Sequence, residues 1–379
     1  MRILMHCYEF PPLGGGGAKA VIGLSKELVA LGHDVDLVTM RFRRLPCTDQ
    51  VHGIHIFRVP CIRTSQFICY TPELASYIAA AIPFSLNLIK KKKYHLNHTH
   101  FVFPDGVVSW ILKRLTGLPY ILTVHGSDVP QYNPDRFRGL HKVLSPIWRK
   151  VVESAAHVVS PSESIKALLL KNCPTAPITV VPYGQDLNKF PPNQQKQARV
   201  LVVSRMFKRK GIQYFIQALA EFDGQWDHEV DIVGDGPYLQ TLKKMASNLN
   251  MKIKFWGHLD NDSPQLKHLY GVSSIFVLPS ESENFPVVLL EAMSAELAII
   301  TTQSTGCAEV VGEGGILVKV GDAPAIKRAL VELTSNPDQC RRFGQLARQR
   351  VETYFSWKTV ANQYLELYRK HTGPKSISL

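Results

Sequence analysis

The sequence predicts two open, parallel α/β domains joined in one chain. Three observations carry that prediction. Apolar strand-like runs alternate with helical patterns from end to end. The length of 379 residues exceeds one ordinary core and suits two domains. A polar stretch without apolar periodicity, Gly184–Ala198 (GQDLNKFPPNQQKQA), interrupts the pattern near the middle and reads as a linker.

In the first half, strands are expected at Arg2–Cys7, Asp34–Thr39, Ile54–Val59, Leu96–Phe101, Tyr120–Val124, His157–Ser160 and Thr179–Pro182. Helical patterns fall between them, as at Ala18–Leu31 and Gly106–Leu115. In the second half, strands are expected at Val200–Val203, Glu229–Val233, Ile253–Trp256, Ile275–Leu278, Ala298–Thr301 and Gly315–Val318. Helices are expected at Ile212–Glu221, Tyr238–Leu249, Pro286–Ala295 and Ala323–Thr334. Each half is therefore an open sheet of Rossmann-like type. The expected boundaries are 1–190, 191–355 and a C-terminal helical segment 356–379, whose amphipathic part is Trp357–Tyr368. In such a pair a ligand is expected between the domains, at the carboxyl ends of the strands.

The composition is that of an ordinary soluble chain, with 45% apolar residues and a mean hydropathy of −0.04. No apolar run approaches the ~18–20 residues that cross a bilayer. The strand pattern begins at the first residue, so no signal peptide is expected. Seven scattered cysteines without CxxC spacing argue for a reducing compartment and against a zinc or disulfide framework. The net charge of +13 is uneven: residues 1–190 hold 22 Lys/Arg against 12 Asp/Glu, and residues 191–379 hold 22 against 19. The basic clusters are Arg41, Arg43 and Arg44, then Lys90–Lys93, then Arg136, Arg138, Lys142, Arg149 and Lys150. An anionic acceptor or membrane surface would account for them, and so would a solvated surface without a partner. Nothing resembles a helix-turn-helix, RRM or finger, so nucleic acid is not expected.

The richest motif is Ser280–Met293 (SESENFPVVLLEAM), after the apolar run Ser274–Pro279. Asn284 reads as a helix N-cap and Pro286 as part of the first turn. A helix N-terminus beyond a strand end is an anion site built from backbone. Glu283 and Glu291 frame it, and hydroxyl-rich ligands would supply the donors that such carboxylates need.

Other motifs also sit at expected strand ends. Gly14–Gly17 (GGGG) allows close backbone approach at the start of a helix, although it is not GxGxxG and no acidic residue ends the second strand. His125–Asp128 (HGSD) follows Tyr120–Val124: His125 suits a substrate hydroxyl and Asp128 an orienting role, against the plainer reading of a structural histidine. Arg205–Gly211 (RMFKRKG) is a cationic strand–helix junction, with Arg205 and Lys210 the candidates for a phosphate clamp. Gly234–Pro237 (GDGP) is a turn or a place of close approach to a ribose or base. There is no HExxH, no Cys/His cluster and no DxD run. His95, His98 and His100 are read as sharing one strand face, with no further ligand to complete a metal site.

These motifs, in this order, resemble glycosyltransferase family 4, the retaining enzymes of GT-B fold. The resemblance covers the whole chain and rests on the Gly-rich first loop, HGSD, Arg205–Gly211, GDGP and the E-x7-E pair Glu283–Glu291. It implies an acceptor-binding first domain, a nucleotide-sugar-binding second domain, and a C-terminal helix returning to the first. Arg205 and Lys210 would neutralise the donor diphosphate, and Glu283 would bind donor sugar hydroxyls. Backbone of Asn284, Phe285, Pro286 and Val287 would meet sugar and phosphate, and Glu291 the ribose. Backbone around Gly257 and His258 would hold the base, with Gly234 and Gly236 in close approach. Gly15 and Gly16 would approach from the first domain, and His125 would touch the donor sugar or the acceptor.

The chain departs from the family pattern in two places. Glu283-Asn284-Phe285-Pro286 stands where E-G-F-G is usual, and Thr305-Gly306-Cys307-Ala308-Glu309 replaces GG-x-x-E. The implied activity is retaining hexosyl transfer from a UDP- or GDP-linked sugar to a saccharide or lipid-linked saccharide. No metal and no cofactor are expected, and the expected location is cytoplasmic or peripheral on the inner membrane face. The alternatives are a sucrose-synthase-like enzyme with a soluble acceptor and a non-catalytic nucleotide-sugar-binding protein. A nicotinamide enzyme is disfavoured by the missing fingerprint.

Overall fold

The computed structural model describes residues 1–66, 69–132, 138–222 and 226–373. The chain divides into two compact units, Met1–Gly184 with Trp357–Leu379, and Gln185–Ser356. In the first unit the elements run β1 (Arg2–His6), α1 (Gly16–Ala30), β2 (Asp34–Met40), β3 (Thr48–Val51), β4 (Ile54–Val59), α2 (Thr71–Lys91), β5 (Leu96–His100), a π-helical turn (Val102–Gly106), α3 (Val107–Thr116), β6 (Tyr120–Thr123), α4 (Arg138–Ser154), β7 (His157–Ser160), α5 (Glu163–Asn172) and β8 (Ile178–Val180). The second unit holds β9 (Arg199–Val203), a 3₁₀ turn (Lys208–Lys210), α6 (Ile212–Ala220), β10 (Glu229–Val233), α7 (Leu239–Ala246), β11 (Ile253–Gly257), α8 (Pro264–Val272), β12 (Ile275–Leu278), α9 (Val287–Ser294), β13 (Ala298–Thr302), α10 (Thr305–Val311), β14 (Gly315–Val318), α11 (Ala323–Ser335) and α12 (Pro337–Phe355). The last helix, α13 (Trp357–Thr372), belongs to the first unit.

The first sheet has the order β3-β4-β2-β1-β5-β6-β7-β8, parallel except for the β3–β4 hairpin. The second has the order β11-β10-β9-β12-β13-β14 and is parallel throughout. Strands covered on both faces need continuous apolar runs, and IFVL of β12 and AIITT of β13 are buried at every position. Order reverses between β1 and β5 in one sheet and between β9 and β12 in the other. At such switch points the loops diverge and leave a crevice.

The helices start where their sequences allow. Ser263 caps α8 by accepting from Leu266 N, with Pro264 next, and Asp322 caps α11 by accepting from Ala325 N. Helix α13 packs on α1: a Cβ at Gly23 would lie 2.2 Å from the Trp357 ring, so only glycine fits there. Tyr364, Leu365 and Tyr368 complete the core around Ile3, Met5 and Val21.

Several expectations are corrected. Helix α2 is a 21-residue segment long and apolar enough to cross a membrane by length and composition. The sequence shows an apolar helical stretch at Leu74–Ile89, but no run of spanning length was expected there. Here Glu73, Tyr77, Ala81, Ser85 and Leu88 form one buried face, the spacing of a helix laid on a sheet. Of the cluster Lys90–Lys93, Lys92 is not a free surface charge. It pairs with buried Asp36 at 2.7 Å, where Tyr94 OH also donates. Arg136 lies outside the described residues, as do the side chains of Arg138 and Lys142. The linker is anchored: Phe190 is buried against Tyr270 with ring centroids 4.5 Å apart, and Lys196 Nζ donates to Ala295 O at 2.7 Å. His95 does not share a face with His98, because three residues along a strand reverse the side; its Nδ1 instead accepts from Arg2 N at 3.0 Å.

Candidate active site

In the second unit, the loops after β9, β10, β12 and β13 interlace through backbone. Arg205–Gly211 lies against the segment after β12: Glu281 N donates to Arg209 O at 2.9 Å and Ser280 Oγ at 3.2 Å. Gly211 has φ +71°, and a Cβ there would lie 1.8 Å from Pro279 O. The GDGP turn laces onto the other side of the same loop, with Ser204 N donating to Val233 O and Tyr238 N to Met206 O. Gly234, at φ +134°, would place a Cβ 1.8 Å from Ser204 O. The chain's own backbone therefore requires Gly234, and Gly236 likewise abuts Met206. Their presence needs no ribose or base to explain it. His258 is exposed directly after β11, where Gly257 O accepts from Gly234 N at 2.7 Å.

This lacing brings Lys210 to Glu283, the two joined by a hydrogen-bonded ion pair with each side chain 11% exposed. Burial pushes the Lys210 ammonium below its ordinary range, Glu283 opposes that shift, and Arg209 and Arg205 add to it. Arg205, Lys208 and Arg209 are exposed, with the Arg205 guanidinium 5.5 Å from the Phe207 ring centroid. Tyr214 OH steadies the neighbouring carboxylate by donating to Glu281 Oε1 at 3.0 Å. The result is a surface rich in cations at the β9/β12 switch point, carried on loops that backbone contacts hold in place.

The helix after β12 starts later than expected. Asn284 is not the N-cap: α9 begins at Val287, and Pro286 occupies the cap with φ −77° and ψ 99°. The residue before a proline is driven away from helical geometry, so Phe285 cannot begin the helix. Phe285 is buried, edge-on to Phe355 at 5.8 Å, and Asn284 is only 7% exposed. Glu291, in the second turn, is 3% exposed and accepts from buried Tyr270 OH at 2.9 Å.

Sequence reasoning missed Tyr214, Tyr270 and the full role of Gly306. A Cβ on Gly306 would lie 2.1 Å from Asn284 O and 2.5 Å from Glu283 O. The glycine retained in TGCAE is what lets that loop seat the Glu283 backbone. The tyrosines sit inside helices without any motif to mark them.

In the first unit, HGSD is rigid. Asp128 accepts from His125 N through Oδ1 and from Val102 N through Oδ2, both at 2.9 Å, and Trp148 Nε1 donates to Asp128 O. Burial raises the Asp128 carboxyl above its ordinary range, against those backbone donors. Both nitrogens of His125 are engaged, Nδ1 with Tyr183 OH at 2.8 Å and Nε2 with His100 Nδ1 at 3.2 Å. The ring lies 4.3 Å from Phe101, and burial holds His125 at about 3, so it is a neutral imidazole near pH 7. The ring is thus held in place by the protein itself, which the motif alone did not show. Gly17 abuts Phe101 and His125, whereas a Cβ on Gly15 or Gly16 would meet nothing within 4 Å. Packing does not explain those two glycines.

Among the described residues, no group of three or more His, Cys, Asp or Glu side chains is placed to hold a metal ion.

Two family descriptions match the chain in tandem: "Glycosyltransferase Family 4" over residues 14–189 and "Glycosyl transferases group 1" over residues 185–350. The N-acetyl-alpha-D-glucosaminyl L-malate synthase of Bacillus anthracis is 26% identical over 97% of this chain and 96% of its own length. The alpha-maltose-1-phosphate synthase of Mycolicibacterium smegmatis is 25% identical over 98% and 99%. Sucrose-phosphate synthase from Thermosynechococcus elongatus superposes with a TM-score of 0.82 at 23% identity, covering 98% of each chain. Anabaena HepE, solved in complex with UDP, superposes at 0.75 with 17% identity over 97% and 99%. The two parallel-sheet domains are those of the GT-B fold.

Proposed function

Because this chain belongs to glycosyltransferase family 4, we propose that it transfers a hexosyl unit, with retention, from a nucleoside-diphosphate sugar to a saccharide or lipid-linked saccharide hydroxyl. The observation that carries the reading is the Lys210–Glu283 pair on interlaced loops at the β9/β12 switch point, with Arg205 beside it. A cation meets the diphosphate there and a carboxylate meets the sugar hydroxyls, and two groups that must act together already touch.

In the transfer, the bond from the sugar's anomeric carbon to the diphosphate oxygen breaks as the acceptor oxygen bonds to that carbon on the same face. The acceptor proton passes to the departing diphosphate oxygen. Arg205 and Lys210 stabilise the charge that grows on the diphosphate, so the reading calls for no divalent ion. Glu283 orients the sugar. In the first unit, Gly15 and Gly16, whose Cβ positions are open, permit close backbone approach to a ligand. His125, neutral and only partly buried, serves as a fixed wall rather than as an acid.

The test is a binding and hydrolysis screen against UDP-glucose, UDP-galactose, UDP-GlcNAc, UDP-glucuronate and GDP-mannose, with and without EDTA. One donor should raise the melting temperature and be hydrolysed slowly, unchanged by EDTA. A folded protein that ignores all five refutes the donor class, and abolition by EDTA refutes metal independence.

A further inference from the structure

We propose that the acceptor is amphiphilic and that its hydrocarbon portion enters an apolar cavity of the first unit beside HGSD. The assignment to the acceptor rests on the transferase reading. The cavity itself measures about 290 Å³, close to the ~300 Å³ at which small-molecule sites begin.

One wall is α2, which contributes Leu74, Ala75 and Ile78; another is α4, with Ile147 and Trp148. Ser127 and Asp128 of HGSD line it as well. Both Asp128 carboxylate oxygens already accept backbone N–H groups, and its carbonyl accepts from Trp148. No lysine, arginine or histidine lines the cavity among the described residues. A sugar phosphate or small carboxylic acid would find no counter-charge there and few polar side chains beyond Tyr8, Thr71 and Ser127, and burying its charge would be costly. An alkyl chain needs neither.

The apolar surface also continues to solvent. Ile147 is 38% exposed, and Tyr70, just before the cavity residue Thr71, is 54% exposed. Ile62, 58% exposed, is tied to the same helix by its N–H donating to Ser76 Oγ at 2.9 Å. Only 28% of the apolar stretch of α2 is buried. Large exposed aliphatic and aromatic side chains around an apolar cavity mark a binding site rather than spare core. The occupant must reach from water, past this rim, to the HGSD loop, which suits a chain joined to a polar head.

The test uses alkyl β-D-glucosides from hexyl to decyl, each below its micelle concentration, with free glucose as control. Burying a methylene is worth ~0.8 kcal/mol, about a fourfold change in affinity, so the dissociation constant should fall at least tenfold from hexyl to decyl. Ala75→Trp places an indole in the cavity from an exposed position of α2 and should abolish that trend. Its melting temperature and its stabilisation by UDP or GDP should match the wild type. Equal affinity for glucose and decyl glucoside overturns the proposal, as does a chain-length trend that survives Ala75→Trp. If Ala75→Trp fails to fold, Ile147→Asp at the exposed rim replaces it with the same expectation. Nucleotide response without chain-length dependence removes the cavity's role and leaves the transferase reading standing. Chain-length dependence without any nucleotide response does the reverse.

Discussion

The buried histidines of the first unit make its stability depend steeply on mild acid. His6 is fully buried and bonded to Asn97 and Ser85, and burial holds it at about 4. His98, bonded to Tyr368 OH and Thr123, is held at about 3 for the same reason, as is His125. His100, its ring tilted against that of His98 with centroids 4.2 Å apart, lies well below its ordinary value chiefly through burial, and its Nε2 has no partner. All four are neutral when folded, while in the unfolded chain they titrate near 6.5. Between those values the unfolded chain binds more protons, so stability is lost as pH falls. From pH 7.5 to 5.5 each group removes about 1.4 kcal/mol, or roughly 5 kcal/mol for four. Asp105, fully buried, is raised well above its ordinary range and acts in the opposite sense, by at most about 2.7 kcal/mol over two pH units. The net loss is about 2 to 5 kcal/mol, a large part of a domain's usual ~5–15 kcal/mol. Urea unfolding at the two pH values, followed by tyrosine and tryptophan fluorescence, measures it. His6→Gln should shrink the pH difference by about 1.4 kcal/mol. Equal stability at pH 7.5 and 5.5, or greater stability in acid, refutes the neutral-histidine account.

Lys210→Ala should lower kcat/KM by about 10²–10³-fold or more. It should also destabilise the fold by leaving Glu283 without its counter-ion, whereas Lys210→Met with Glu283→Gln should recover melting temperature but not turnover. Gly211→Ala drives a Cβ into Pro279 O and should cost at least about 3 kcal/mol by chemical denaturation. Gly15→Ala should change stability by less than about 0.5 kcal/mol yet weaken donor binding by calorimetry. Tyr270→Phe removes the phenol donor to buried Glu291 and should cost about 1–3 kcal/mol in the same denaturation assay.

Which features were legible follows from what each one depends on. Core strands such as β9, β10, β12 and β13 announce themselves because strands covered on both faces read as near-continuous apolar runs, interrupted here by few polar residues such as Arg199, Glu229 and Asp231. The hairpin strand β3 (TDQV) is short, polar and half exposed, so it carries no such signal. The positions of Lys210 and Glu283 were readable from charge placed at strand ends, but their pairing was not, because 73 residues separate them. The Asn284 cap failed on a local conflict, in which capping preference at one residue is overruled by Pro286 two residues later. The setting of His125 was hidden for another reason. Its partners Tyr183 and His100 come from other strand ends, and only the sheet order β5-β6-β7-β8 brings His100 and His125 onto neighbouring strands.

Charge placement and loop rigidity have the same cause in the second unit. The glycines at 211, 234 and 306 let three loops press backbone on backbone, at distances no other residue permits. That contact fixes where Lys210 and Glu283 emerge without using their side chains, so the pair stays available to a ligand that competes for either partner. A diphosphate drawing Lys210 away from Glu283 adds negative charge beside the ammonium, which strengthens its charged form against burial. The same move frees the carboxylate to accept from hydroxyls. Occupancy of the two halves by a molecule carrying both groups is thus mutually reinforcing, while a bare nucleotide leaves Glu283 with neither its lysine nor a sugar. UDP or GDP alone should therefore stabilise the protein less than the complete sugar nucleotide, and in Glu283→Gln the two should stabilise it equally. A nucleotide sugar that binds no better than its nucleotide in the wild type would break this coupling.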